Sequence, residues 1–206
     1  MPEKDLYQRI APIYDILLSP LIKNVRKEVI RLIYETKPNI VLDLCCGTGH
    51  QLSLLPDETL AFGVDLSQAM LKKAKEVIPG KCVLGDVTKT PFASDSFDFI
   101  LSQFALHENH QTIIEFELRE AQRLLRSGGN LAIVDFAQST RKGFLSTIFG
   151  KGIKWIESYT NDDHYSNYRD WMKQGALDKI MVSNGWVNMH RKAFYRGNIV
   201  FGIYHC

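Results

Sequence analysis

Residues Val41 to His50, reading Val-Leu-Asp-Leu-Cys-Cys-Gly-Thr-Gly-His, constrain the fold more than any other stretch of this chain. A short run of β-forming residues ends in a carboxylate and gives way to a loop with two glycines one residue apart. An α/β protein uses that arrangement to bring a nucleotide-like ligand against its backbone. A dinucleotide fingerprint would place Gly-x-Gly-x-x-Gly at the opening of a helix. Here Gly47 and Gly49 are followed by His50, Gln51 and Leu52, so the third glycine is missing.

Strand-like runs at Ile40 to Leu44, Leu60 to Asp65, Lys81 to Leu84, Phe97 to Ser102 and Asn130 to Asp135 alternate with helical patterns. Ser67 caps a helix in which Met70, Leu71, Ala74, Val77 and Ile78 share one face, and Pro79-Gly80 stops it. Ile114, Leu118, Ala121 and Leu125 line a second helix, expected to end at Gly128-Gly129. Strands alternating with helices predict a doubly wound parallel sheet with right-handed crossovers and helices on both faces. Toward the C-terminus, Val187 to Phe194 and Ile199 to Tyr204 are joined by Tyr195 to Asn198, short enough for a hairpin that adds antiparallel strands at one edge.

At 206 residues the chain is expected to form a single domain. Residues 1–37 form an N-terminal helical cap containing the amphipathic stretch Ile22 to Thr36, whose basic residues are Lys23, Arg26, Lys27 and Arg31. Residues 136–170 are the least regular and read as a substrate-lid insert. A formal net charge of +2 supplies no bulk basic field for nucleic acid. No apolar stretch reaches the ~18 residues of a membrane helix, and the start is too polar for a signal peptide, so the expected location is cytoplasmic. Cys45, Cys46, Cys82 and Cys206 show no metal-ligand spacing and are expected to be reduced structural thiols. His107 and His110 have helical spacing, but solvated histidines explain them better than a metal does.

Three carboxylates end three successive strand-like runs: Asp43, Asp65 and Asp86, spaced 22 and 21 residues apart. At the carboxyl ends of adjacent parallel strands such side chains converge on one crevice. Asp65 can accept from both hydroxyls of a ribose. Asp86 can accept from an adenine amino group, with the Val87 amide on a ring nitrogen. Leu66 and Met70 offer apolar surface to the ring faces, and Gly47 permits close backbone approach. Any one Asp after a strand is unremarkable, since Asp favours turns and caps. Three at near-equal spacing around a Gly-Thr-Gly loop point to an adenosine-containing ligand.

These residues, together with Pro91 to Asp98 and Arg119 to Gly129, resemble the class I S-adenosylmethionine-dependent methyltransferases, in the branch of the quinone-biosynthesis C-methyltransferases. The likeness is strong from about Tyr14 to Gly129 and weaker beyond. It implies a Rossmann-like seven-stranded sheet of order 3-2-1-4-5-7-6 with the last strand antiparallel. It also implies S-adenosylmethionine held by the loop of Asp43, Cys45, Gly47, Thr48 and Gly49, by Asp65 and by Asp86. Tyr14 and the segment Ser102, Gln103 and Phe104 would lie near the methionine end. Members often carry glycine where this chain has Cys45, so the loop must accept a Cβ there.

Methyl transfer leaves S-adenosylhomocysteine and needs mainly proximity and orientation. His107 is the candidate base for an acceptor of high pKa, and Tyr159, Tyr165 and Tyr168 are candidate substrate contacts. For each of these side chains, packing is the competing role. The chain lacks the Pro-Pro-aromatic motif of amino-methylating nucleic-acid enzymes and the Pro-Cys of pyrimidine C5 enzymes, which leaves a small organic acceptor. Lys142 to Trp155 is an amphipathic run that suits either a lid over a lipophilic acceptor or peripheral contact with a membrane surface. The rival readings are a cofactor-binding sensor or assembly module without turnover, and a dehydrogenase.

Overall fold

The computed structural model describes residues 14–139 and 162–206, excepting the side chains of residues 14–21 and 162–164. Tyr159 and the 142–155 run lie outside the described residues, as does the side chain of Tyr14. The elements are α1 (Tyr14–Thr36), β1 (Ile40–Leu44), β2 (Leu60–Asp65), α2 (Gln68–Val77), β3 (Cys82–Leu84), β4 (Phe97–Gln103), α3 (Gln111–Leu124), β5 (Leu125–Phe136), α4 (Asp162–Lys173), α5 (Ala176–Ser183), β6 (Val187–Phe194) and β7 (Ile199–His205). The strands form one sheet of order β3-β2-β1-β4-β5-β7-β6, with β7 antiparallel to both of its neighbours. This is the expected topology.

Local chemistry explains why the elements start and stop where they do. The Ser67 hydroxyl accepts from the Met70 amide at 3.2 Å and caps α2 as expected. The β6–β7 hairpin turns through Tyr195, Arg196 and Gly197, all with positive φ. One expectation fails: α3 ends at Leu124, not at Gly128-Gly129. The carbonyls of Arg123 and Leu124 accept from the Asp95 and Ser96 amides, so the preceding segment satisfies the helix end. Leu125 is then drawn into β5 opposite Phe97. The insert region also contains α4, which packs Tyr168 and Trp171 into the core, and α5 follows after Gly175 at φ 101°.

Both sheet faces are covered. On one, Val25, Val29 and Ile33 of α1 pack over Val41, Phe99, Leu101 and Phe201. On the other, Ile114, Leu118, Ala121 and Leu124 of α3, with Trp171 and α5, cover Leu42, Leu44, Ile100 and Ile133. α2 sets Leu71 and Ala74 against Ala61, Cys46 and Cys82. Two buried or half-buried acids tie the frame together. Asp98 accepts from the Asn39 and Ile40 amides at 3.1 and 3.0 Å and from Arg126, joining the start of β1 to β4 and the start of β5. Glu120 accepts from the Thr90 amide and hydroxyl at 2.8 and 2.7 Å and from Arg123, anchoring the loop after β3. Among the described residues no helix is long and apolar enough to cross a membrane.

Candidate active site

The carboxyl ends of β1, β2, β3 and β4 bring the sequence-predicted residues to one edge of the sheet. Beyond β1 the chain passes through Cys45 at φ 62°, then Gly47 at φ 54° and Gly49 at φ 73°. Left-handed backbone at Cys45 is what a loop built for glycine there demands. The strain of holding a Cβ in it costs about 1–2 kcal/mol. Gly49 is tightly enclosed, because a Cβ would meet Ile78 at 3.0 Å and Ala74 at 3.2 Å. Gly47 has nothing within 4 Å of that position, so its backbone faces open space. Thr48 is buried between them.

Asp65 organises this loop. Its Oδ2 accepts from the Gly47 amide at 2.7 Å and its Oδ1 from the Ser67 amide at 2.8 Å. A carboxylate is acceptor-only, and each of its oxygens can accept more than one hydrogen bond. Next to it, Leu66 is 73% exposed, an apolar surface at the rim, whereas Met70 is buried. Of the two residues expected on the ring faces, Leu66 alone stands open at the surface. Asp86 is exposed and accepts through Oδ1 from the Thr88 amide and hydroxyl, a local turn that fixes its carboxylate, with Val87 buried behind it. Asp43 is buried, and its Oδ1 has no hydrogen-bond partner among the described residues. Burial, and behind it the proximity of Cys82 and Asp65, pushes its carboxyl well above the usual range.

At the end of β4, Ser102 is buried while Gln103 and Phe104 are half-buried. Phe104 adopts φ 54°, a second strained non-glycine position at this edge, with its amide donating to the Val134 carbonyl at 2.7 Å. His107 follows in a short helical turn and is 1% exposed. Its Nδ1 lies 2.7 Å from Oδ1 of Asp135, the penultimate residue of β5, and its amide donates to Oδ2 of the same carboxylate at 3.3 Å. The imidazole edge meets Phe136 at 4.5 Å and Tyr168 at 6.1 Å between ring centres. Tyr168 is therefore part of the wall around His107. Tyr165 is half-buried, with the Arg169 guanidinium 5.9 Å from its ring centre. His110 serves instead as the N-cap of α3, accepting from the Thr112 amide.

Two site residues escaped the reading of the sequence. Asp135 ends a strand-like run as Asp43 and Asp65 do, and that pattern could have found it. Glu117 is a carboxylate on the apolar stripe Ile114, Leu118, Ala121, and its place three residues after Ile114 was the signal. It is buried, its Oε1 accepts from the Ser102 hydroxyl at 3.0 Å, and burial chiefly, opposed by that hydroxyl, pushes its carboxyl up to about 7.

A family profile described as "Methyltransferase domain" matches residues 41–129. The chain is 34% identical over 160 residues to a demethylmenaquinone methyltransferase of Thermotoga maritima, an alignment covering 73% of this chain and 69% of that one. To the demethylmenaquinone methyltransferase of Listeria welshimeri it is 26% identical over 189 residues, 84% of this chain and 79% of the other. Among solved structures, a DhpI–SAH complex superposes with a TM-score of 0.62 at 15% identity, covering 98% of this chain and 94% of that one.

Proposed function

Because the chain belongs to the class I S-adenosylmethionine-dependent methyltransferases, we propose that it transfers the methyl group of S-adenosylmethionine to a small organic acceptor by in-line displacement, releasing S-adenosylhomocysteine. The observation that carries this reading is the cradle at the end of β1. Open space in front of Gly47 is bounded by the Asp65 carboxylate and the exposed Leu66, with the orphaned Oδ1 of Asp43 buried at the foot of the loop. A polar rim with an apolar shelf fits an adenosine. The loop from Cys45 to Gly49 would bring backbone against the cofactor, Asp65 would accept from the ribose hydroxyls, Leu66 would offer apolar surface to the adenine, Asp86 would accept from its amino group and the Val87 amide would donate to a ring nitrogen. Ser102, Gln103 and Phe104 would take the methionine end, to which the family resemblance also assigns Tyr14. When bound, the cofactor supplies a methyl group already activated on a sulfonium sulfur.

The protein's part is then orientation and proton removal. An Asp135 carboxylate at 2.7 Å accepts the Nδ1–H of His107 and holds the imidazole in the tautomer whose Nε2 carries the lone pair. That nitrogen takes the acceptor's proton, and Asp135 stabilises the imidazolium that results. Phe136 and Tyr168 keep the pair from water, which strengthens the interaction between them. The relatives are named for demethylmenaquinone; this favours a lipophilic, ring-bearing acceptor, for which Tyr165 is the candidate contact among the described residues and Tyr159 a candidate outside them, while Tyr168 walls His107.

A screen of metabolite extracts with methyl-labelled S-adenosylmethionine, followed by identification of the labelled product, tests the reading. A labelled small molecule with stoichiometric S-adenosylhomocysteine is the expected result. Tight NADH binding with no response to S-adenosylmethionine would falsify it.

A further inference from the structure

One buried acid at the carboxyl edge of the sheet serves neither the cradle nor the His107–Asp135 pair. Glu117, midway along α3, is 1% exposed, and its Oε2 has no hydrogen-bond partner among the described residues. Its Oε1 accepts from Ser102, near the end of β4. After burial itself, the Glu117 carboxylate is the strongest influence pushing the Cys45 thiol up. It therefore lies against the end of β4, with its charge felt at Cys45 in the loop after β1, the two segments assigned to the cofactor. The charged groups facing it are Asp135 from β5, Asp86 from the loop after β3 and Glu108 from the turn after β4, all acids. A buried carboxylate among acids is costly unless a cation compensates it.

The methyl donor and the demethylated product differ in one charge, since the donor carries a sulfonium and the product a neutral thioether. Resting on the methyltransferase reading above, we propose that Glu117 is a specificity residue through which the site distinguishes cationic donor from product, its buried carboxylate compensating the sulfonium charge. Without that cation the carboxyl is held at about 7 and is protonated half the time at neutral pH. Donor binding requires the ionised form and expels the proton. Methyl transfer removes the sulfonium charge, the carboxylate recovers a proton, and the product is held less tightly. Donor affinity therefore rises with pH through 7, whereas product affinity does not. Between pH 6 and 7.5 the change is roughly eightfold for a single group of that pKa.

The test is calorimetric titration of the full chain with S-adenosylmethionine and, separately, S-adenosylhomocysteine at pH 6 and 7.5, for the wild type and for Glu117→Gln. The ratio of product Kd to donor Kd is expected to rise roughly eightfold across that interval in the wild type and to stay flat in Glu117→Gln. Product affinity in the variant should remain within about twofold of the wild type, which also reports that it is folded. The proposal is overturned by an equal rise in the variant, by no rise in the wild type, or by loss of product binding along with donor binding. If the variant does not fold, the wild-type ratio at the two pH values decides. A wild type that binds neither ligand removes the methyltransferase reading, and this inference falls with it.

Discussion

Removal of the Asp65 carboxylate is expected to loosen the loop and weaken the cofactor at the same time, and the two effects can be read apart. In the free protein its oxygens accept from the Gly47 amide at 2.7 Å and the Ser67 amide at 2.8 Å. Hydrogen bonds to a charged group contribute about 1.5–3 kcal/mol each. Because Asp65 is only half-buried, water can reach the freed amides, and the low end applies to both. Asp65→Ala should thus cost about 3 kcal/mol of folding stability, which for a domain of this length lowers Tm by about 6–12 °C. The bonds to the ribose are separate. At the same low end, losing the bonds to two ribose hydroxyls costs about 3 kcal/mol of binding, raising the S-adenosylmethionine Kd by about 150-fold. Differential scanning calorimetry of the free protein reads the first quantity, and isothermal titration well below Tm reads the second. An unchanged Tm would show that the loop is not held through Asp65. A Kd within twofold of the wild type would remove Asp65 from the ribose.

Substituting His107→Asn should lower kcat by about 10²- to 10⁴-fold while leaving S-adenosylhomocysteine binding intact; a change under threefold would reduce His107 to a packing residue. Cys45→Gly should raise stability by about 0.5–1 kcal/mol in urea unfolding, because relief of left-handed strain exceeds the entropy glycine adds to the unfolded chain. A loss above about 1 kcal/mol would mean that the half-buried sulfur contributes more than the strain costs. Glu28 predicts an acid limit: the Arg31 guanidinium chiefly, and Lys192 with it, hold its carboxyl down at about 2 against an ordinary value of 4.5. A depressed folded-state pKa gives stability that is present above pH 4.5 and is lost as pH falls toward 2. Chemical denaturation at a series of pH values should show that loss in the wild type and a shallower slope in Glu28→Gln; parallel slopes would contradict the assignment.

Much of this molecule was legible locally. The bounds of β1, β2 and β6 follow from runs of β-forming residues, and the start of α2 from Ser67, because a strand's alternation and a cap's hydrogen bond involve residues a few positions apart. The acids Asp43, Asp65 and Asp86 mark strand ends for the same reason. Where α3 stops was not legible: its last carbonyls are taken by Asp95 and Ser96, nearly thirty residues earlier in the chain. Nor was the setting of His107. Its partner Asp135 is 28 residues away, and only the pairing of β4 with β5 brings the two together.

The sequence by itself determined the strand and helix alternation, the glycine loop and the kind of ligand that loop receives, since turn chemistry and periodicity are written in consecutive residues. Tertiary structure decided which acids are exposed to a ligand and which are buried. Asp65 became the tie of its own loop, Asp135 the partner of His107, and Glu117 an uncompensated carboxyl under Ser102. Those roles depend on sheet register and helix packing, which set the dielectric around each carboxyl, and burial more than residue type sets the proton affinity of a carboxyl.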